Sequence, residues 1–451
     1  MAQLRRWRGR ACRLAVALGL IAGGCGSNSH SPKPARVALT GSPTPLTGRP
    51  AALRRPAPAP VPVAPEAGSL RTSLDRLLAP AGPQTGALVF DMTARASVYA
   101  VRDRVGRPPA SVEKLYTSVA ALRELGPNAR LTTTVLGTGH LGAGGIWHGN
   151  LYLRGDGDPS FGDGSFNRVW EQGYGPTAAQ LAVQLRRDGI RRVAGALIAD
   201  ASRFDDKPGG PATDFAPDVP DYGGELSALT YDHGATIAGW GSPATFAAHE
   251  LALTMRGSGV WALAAHRTGR TPSGARRLAS VSSPPLRELL KLMDVPSDDL
   301  FADLLTEQLG SRFGTGGSIA AGARVIAGQI VAYGLHPTIV DGSGLSRADR
   351  STPREIVDLL RKVWRTPVGN VLRDALPIVG QTGTVASFGV KTPAQGHCIA
   401  KTGTLNFVTN LAGYCHTVTG RMVAFALFID GPANWQAYAI LSKSVAAIAR
   451  Y

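Results

Sequence analysis

The chain has 451 residues, with 44% apolar side chains and 18% charged ones, enough for a large core and more than one domain, which excludes a mainly disordered protein. Its formal net charge of +16 comes from 40 Arg and 8 Lys spread along the chain, so no basic block marks a nucleic-acid arm, and no nucleic-acid motif accompanies it. Charge of this kind gives a general attraction to anionic envelope polymers, although Arg-biased codon usage produces the same composition.

The first element is MAQLRRWRGRACRLAVALGLIAGGCGS, an Arg-rich region, an apolar run from Leu14 to Ala22, and small residues up to Cys25. The run is too short to span a bilayer, so residues 1–25 read as an export signal and place the protein in the cell envelope. IAGGC is similar to a lipoprotein cleavage box, with Ala22 where such boxes usually carry Leu. Cys25 is therefore a lipidation candidate, weighed against ordinary secretory cleavage, and any membrane contact is confined to that anchor. Removing the signal also removes Cys12 and leaves Cys25, Cys398 and Cys415, an odd number that a lipidated Cys25 accounts for. Residues 26–67, rich in Pro, Ala and Ser, form a semi-rigid disordered spacer.

From Ser69 the chain becomes foldable. SLRTSLDRLLAPA has helical periodicity, and GALVFDMTARASVYAVRDR reads as two short strands around a turn. PPASVEKLYTSVAALRELG, residues 108–126, then gives a helix with Val112, Leu115, Tyr116, Val119, Leu122 and Leu125 on one stripe, ended by Gly126 and Pro127. Ser111 and Lys114 are neighbours on one face of it. A helix-capping Ser and a solvated Lys explain that pair, as does a nucleophile with its base. The second reading needs another hydroxyl to pass protons and a cation on a strand to hold a carboxylate.

Two segments offer the hydroxyl. Ser165 to Asn167 follow a glycine-rich loop, GDPSFGDG, among short strands and turns. Ser297 to Asp299 lie between two helix patterns, SPPLRELLKLM and DDLFADLLTEQLG, where a triplet can point inward from a tight connection. Ser297 is preferred, against the plain reading of a helix start with two aspartates on the positive end of the dipole.

Near the C-terminus, CIAKTGTLNFVTNLAGYC reads as two strands joined by a turn around Thr404 to Phe407. It sets Lys401, Thr402 and Gly403 on a strand where Lys and Thr can grip a terminal carboxylate and Gly lets the backbone approach a ligand. Cys398 and Cys415 flank the pair, and a disulfide between them stabilises by roughly 3 kcal/mol in the chain-entropy view.

Taken in order, PASVEKLYTSVAALRELGPNARLTTTV, GNLYLRGDGDPSF, VAGALIADASRFDD, SSPPLRELLKLMDVPSDDLFADLL, VDGSGLSRADRSTP, ALPIVGQTGT and AKTGTLNFVTNLAGY resemble one family. It is the low-molecular-mass class C penicillin-binding D,D-carboxypeptidase/endopeptidase family, peptidase family S13. The resemblance runs from about Leu70 to the end and implies the α+β serine β-lactamase/D,D-peptidase fold, an antiparallel sheet flanked by helices. It further implies that residues 68–131 and 278–451 form the peptidase domain and residues 132–277 an inserted strand-rich subdomain. The MVAFALFIDG strand and a helix from Ala433 to Arg450 return to the main sheet.

The resemblance also implies roles. Ser111 attacks the carbonyl of a terminal D-alanyl-D-alanine bond with Lys114 as base, and Ser297 relays a proton to the leaving amine. Lys401 and Thr402 hold the substrate carboxylate beside Gly403, and the backbone N–H groups of Ser111 and Thr404 form the oxyanion hole. Peptidoglycan stem peptides are the implied partners and β-lactams the covalent inhibitors; no metal or cofactor is called for.

One residue departs from the family pattern. The triplet is Ser-Asp-Asn in the family, and here its third residue is Asp299. An amide donates and accepts, whereas an ionised carboxylate only accepts and favours a neighbouring lysine's ammonium form. The chain is thus a working peptidase that tolerates Asp299, or a weakened member that binds peptidoglycan without turnover; a true β-lactamase is the least favoured reading. Elsewhere, Ser343 and Ser346 in DGSGLSR read as structural hydrogen-bonders, Arg267 to Gly269 as a chance imitation of the lysine motif, and FDDKPGGPATDFAPDVPDYGG as an acidic surface loop or an aid to side-chain selection.

Overall fold

The computed structural model describes residues 67–236 and 241–451; the export signal, Cys25 and the spacer up to residue 66 lie outside the described residues. The first elements are α1 (Ala67–Leu78), β1 (Gly86–Asp91), β2 (Ala96–Val101) and α2 (Lys114–Glu124). Then follow β3 (Thr132–Gly137), β4 (His140–Leu141), β5 (Ile146–His148), β6 (Leu151–Arg154), α3 (Gly164–Trp170), α4 (Ala178–Arg187), β7 (Arg192–Asp200), α5 (Val219–Tyr222), α6 (Pro243–Gly257), β8 (Trp261–Thr268) and β9 (Arg276–Ser282). A helical stretch comes next: α7 (Leu286–Asp294), α8 (Asp299–Phe313), α9 (Ile319–Val331), α10 (Pro353–Val363) and α11 (Pro367–Ala375). The chain closes with β10 (Cys398–Leu405), β11 (Val408–His416), β12 (Met422–Asp430) and α12 (Asn434–Arg450).

The apolar run MVAFALFID explains the main sheet. Such a run has no polar face, so its strand must be covered on both sides. In β12, Val423, Phe425, Leu427 and Ile429 pack against α1 and α12, while Ala424, Ala426 and Phe428 face a core shared with α2 and α7 to α11. The sheet is antiparallel with order β10-β11-β12-β1-β2, which places β10 at the end of the order, its start bridged at Ile399 to Ile378 and its remainder beside the turn that carries Ser111. α2 runs through the helical side, and Thr117 and Ser118 are buried beside its apolar stripe because neighbours surround the helix.

Residues 132–282 build a second sheet of seven strands, in the order β4-β5-β7-β6-β3-β9 with β8 against β7. The strands β6, β7 and β8 are parallel, a pairing that needs crossovers, and α6 supplies the one between β7 and β8. α4 and α6 cover this sheet with Leu181, Leu185, Leu251 and Met255. Both helices open with capping boxes, at Thr177/Gln180 and Ser242/Thr245, so a helical signal was present in a segment that reads mainly as strands.

Candidate active site

The turn before α2 determines where Ser111 points. Asn410 of β11 donates from Nδ2 to the carbonyls of Pro108 and Pro109 at 3.0 and 2.9 Å, pinning the entry to the turn. Ala110 then adopts a left-handed backbone, φ 48°, and Ala110 to Glu113 form a 3-10 turn with no side-chain cap. Ser111 is therefore not the helix cap, and its Oγ is left for Lys114, which opens α2. Lys114 is fully buried while Ser111 keeps 9% exposure, so of the two only Ser111 reaches the surface. Lys114 Nζ donates to Ser111 Oγ at 3.0 Å, Asp299 Oδ1 at 2.5 Å and the Ser343 carbonyl at 2.7 Å. Three acceptors suit an ammonium group.

The second triplet arrives on the connection between α7 and α8. Asp298, not Ser297, caps α8, accepting from the Phe301 N–H at 2.8 Å. Ser297 stands before it in a left-handed conformation, φ 71°, and its Oγ accepts from Lys401 Nζ at 2.6 Å. Asp299 begins α8 and also lies 3.5 Å from Ser111 Oγ. Ser111, Lys114, Ser297, Asp299 and Lys401 therefore form one cluster between α2, the α7–α8 connection and the β10 edge.

Burial governs the charges here. Lys401 is pushed down to about 7 by desolvation and by the nearby Lys114. Burial raises Asp299 above the ordinary carboxylate range, and the Lys114 ammonium offsets only part of that. Asp294, at the end of α7, accepts from Ser118 Oγ at 2.8 Å and is raised to about 6 by burial, against the pull of Lys401. Two lysines thus share one buried site with two carboxyl groups.

Cys398 of β10 and Cys415 of β11 face each other in register and form a disulfide. Gly403 passes so close to the Ser111 turn that an added Cβ would lie 2.4 Å from the Pro109 carbonyl oxygen. Thr402 Oγ1 donates to Thr384 Oγ1 at 2.7 Å, and Thr404 Oγ1 meets the Tyr438 hydroxyl at 2.5 Å. Thr384, Asn410, Asp294 and the Ser343 carbonyl went unassigned in the sequence reading, since each joins the cluster through contacts distant in the chain.

The remaining sequence candidates fall elsewhere. Ser165 is exposed at the start of α3 and its Oγ accepts from Arg168 at 3.1 Å. Ser343 and Ser346 accept the backbone N–H groups of Leu345 and Ala348. Thr268 and Gly269 line a cavity of about 300 Å³ within residues 132–282, together with Asp205 and Asp206 of the acidic loop. Among the described residues, no group of three His, Cys, Asp or Glu is arranged to hold a metal ion, and no helix is long and apolar enough to cross a membrane.

A buried Ser/Lys couple held against the edge of an antiparallel sheet, with a second Ser/Lys couple opposite, defines a serine hydrolase of the β-lactamase/D,D-peptidase class. The chain belongs to the D-Ala-D-Ala carboxypeptidase 3 (S13) family, whose model matches residues 70–241 and 224–450. It is 29% identical to carboxypeptidase DacB of Mycolicibacterium smegmatis, over 94% of this chain and 93% of that protein. It is 25% identical to a D-alanyl-D-alanine carboxypeptidase of Actinomadura sp., over 85% of each. The fold is similar to that of penicillin binding protein 4 (dacB) from Haemophilus influenzae, with TM-score 0.70 and 20% identity, covering 84% of this chain and 99% of that one.

Proposed function

We propose that the protein is an exported envelope peptidase that hydrolyses the terminal D-alanyl-D-alanine bond of peptidoglycan stems through an ester on Ser111. The observation that carries this reading is the 3.0 Å contact between Ser111 Oγ and Lys114 Nζ, facing the 2.6 Å contact between Ser297 Oγ and Lys401 Nζ. Neutral Lys114 takes the Ser111 proton as Oγ bonds to the substrate carbonyl carbon. The tetrahedral oxyanion is held by the N–H groups of Ser111 and Thr404. Ser297 relays the proton that Lys114 took to the departing D-alanine nitrogen as the peptide bond breaks, so that Lys114 is neutral again and Ser297 keeps its hydroxyl, and Lys401 with Thr402 holds that residue's carboxylate. Water then cleaves the ester. The same steps cut a cross-linked stem, which adds endopeptidase work, and a β-lactam forms the same ester but leaves slowly. A lipid on Cys25 would tether the enzyme to the membrane.

A second reading rests on Asp299. Its 2.5 Å contact favours the ammonium form of Lys114, which cannot act as a base, and a member so restrained binds stems with little turnover. Labelling the full chain and its Ser111→Ala variant with a fluorescent penicillin, then mapping the modified residue, tests acylation. Release of D-alanine from a D-alanyl-D-alanine peptide tests turnover. Labelling of Ser111→Ala as fast as the wild type would remove Ser111 as the nucleophile, and a full chain that binds stem peptide but is neither labelled nor releases D-alanine would select the second reading.

A further inference from the structure

His233 connects the inserted segment to the second Ser/Lys couple. It sits between Asp232 and Gly234, and all three residues are left-handed, with φ 47°, 60° and 69°. Non-glycine residues adopt this region at a cost in strain, and two in succession persist only where the surroundings over-determine them.

The surroundings of His233 do so. Its Nε2 lies 2.6 Å from Asp298 Oδ2, and both side chains are largely buried, 16% and 18% exposed. The opposite ring nitrogen, Nδ1, faces the backbone of Gly223. The ring stacks on Phe301 of α8, with centroids 5.9 Å apart and planes at 29°. A carboxylate at 2.6 Å from Nε2 favours the imidazolium form. The charged groups facing it are Asp298 from the start of α8 and Glu171, buried just past α3. Burial alone would lower the imidazole's pKa, but these acids outweigh it and hold the group above its ordinary value.

Asp298 is what this ring grips, and Asp298 is the middle residue of the triplet. Its other oxygen caps α8, so the carboxylate ties the helix start to His233. On one side of it Ser297 reaches Lys401, and on the other Asp299 reaches Lys114. Both are adjacent in the chain to the gripped residue, and one is held in a strained backbone.

We infer that His233 is a positioning residue: its imidazolium clamps Asp298 so that Ser297 and Asp299 stay against the two active-site lysines, which makes the inserted segment part of the acylation machinery. The clamp itself is a matter of structure; only its effect on rate rests on the function proposed above.

Two readouts on the full chain separate these. Hydrogen exchange of the 295–302 segment reports the clamp, and the acylation rate constant for a fluorescent penicillin reports its consequence. His233→Ala is expected to speed exchange in that segment about tenfold or more, the scale of one charged hydrogen bond, with β11 and β12 unchanged. The acylation rate constant should fall by a similar factor while non-covalent penicillin affinity holds, because Ser297 moves a proton during the step. His233→Gln keeps a donor and should restore most of the rate, which a general loss of folding would not allow. Asp298→Asn should match His233→Ala, and the double variant should be no worse than either. Wild-type exchange at 295–302 in His233→Ala, or additive losses in the double variant, would overturn the clamp. A wild-type protein that is never acylated would instead refute the peptidase reading, and exchange alone would then decide the clamp.

Discussion

Lys114 Nζ lies 2.5 Å from Asp299 Oδ1 and 3.0 Å from Ser111 Oγ, so the carboxylate holds the shorter contact with the group that must deprotonate the nucleophile. An ionised acid favours the ammonium, and an amide at the same place would not. Asp299→Asn is therefore expected to raise the acylation rate at neutral pH by about tenfold, the scale of one charge-assisted hydrogen bond. Rapid-mixing measurements with a fluorescent penicillin read this directly. A fall in rate would show instead that Asp299 accepts a proton during the reaction.

Lys401 sets a second dependence on pH. Burial and Lys114 bring its pKa down to about 7, so it is an ammonium below that pH and an amine above it. In the proposed mechanism the substrate carboxylate binds the ammonium. As pH rises through about 7, kcat/KM for a D-alanyl-D-alanine peptide should lose a contribution that kcat retains, since bound carboxylate keeps Lys401 charged. The matching peptide with an amidated C-terminus should lack this alkaline fall. If both peptides show the same limb, another group is responsible.

These two predictions draw on parts of the site that differ in how far the sequence revealed them. Ser111 and Lys114 are three residues apart, so helical geometry alone brings them together. Cys398 and Cys415 flank a hairpin whose alternation fixes their register. By contrast, Lys114 meets Ser343 across 229 positions, and Asn410 meets Pro109 across 301. Such contacts depend on how the main sheet packs against the helices, which no local pattern encodes. Ser297 is intermediate: its triplet reads as an ordinary helix start, and only the assignment of the cap to Asp298 shows that its hydroxyl is spare. The helices α4 and α6 were legible from their capping boxes; short strands and turns around them drew the reading elsewhere.

Buried acids give the protein an unusual stability profile. Glu307 on α8 is 1% exposed, one of its oxygens has no hydrogen-bond partner, and burial with nearby Asp205 and Asp303 pushes its pKa well up. A folded pKa above the unfolded value means stability that is full below the unfolded value and is lost as pH rises through the folded one. Asp303 and Asp158, raised to about 7 mainly by burial, act in the same direction. The protein is expected to melt at a higher temperature at pH 5 than at pH 8. Glu307→Gln should stabilise more at pH 8 than at pH 5, because above its ordinary range the acid ionises in the unfolded chain and not in the folded one, a loss of up to about 1.4 kcal/mol per pH unit that an amide does not suffer. Denaturant titrations at the two pH values test this, and an equal effect at both would mean that Glu307 does not titrate on folding.

Gly403 offers the sharpest separation of geometry from charge. It carries no titratable group and no hydrogen-bonding side chain, yet it lies where β10 meets the Ser111 turn. A methyl group there would sit 2.4 Å from the Pro109 carbonyl oxygen and 3.0 Å from the Val112 nitrogen, and both are backbone atoms that cannot rotate away. Asn410 holds the same Pro109 carbonyl from the other strand, so the turn cannot retreat without breaking that bond. Gly403→Ala must therefore move β10 outward, carrying Lys401 away from Ser297 and the Thr404 N–H away from the position of the oxyanion. Removing one oxyanion donor costs roughly a hundredfold or more in rate, and displacing Lys401 as well should add to that. Because the strand sits at the sheet edge and the disulfide anchors its start, the fold should survive with a small loss in melting temperature. Circular dichroism and penicillin acylation on the same sample give both numbers. Near-normal acylation in Gly403→Ala would mean that the close approach of β10 to the nucleophile turn is not what the reaction depends on.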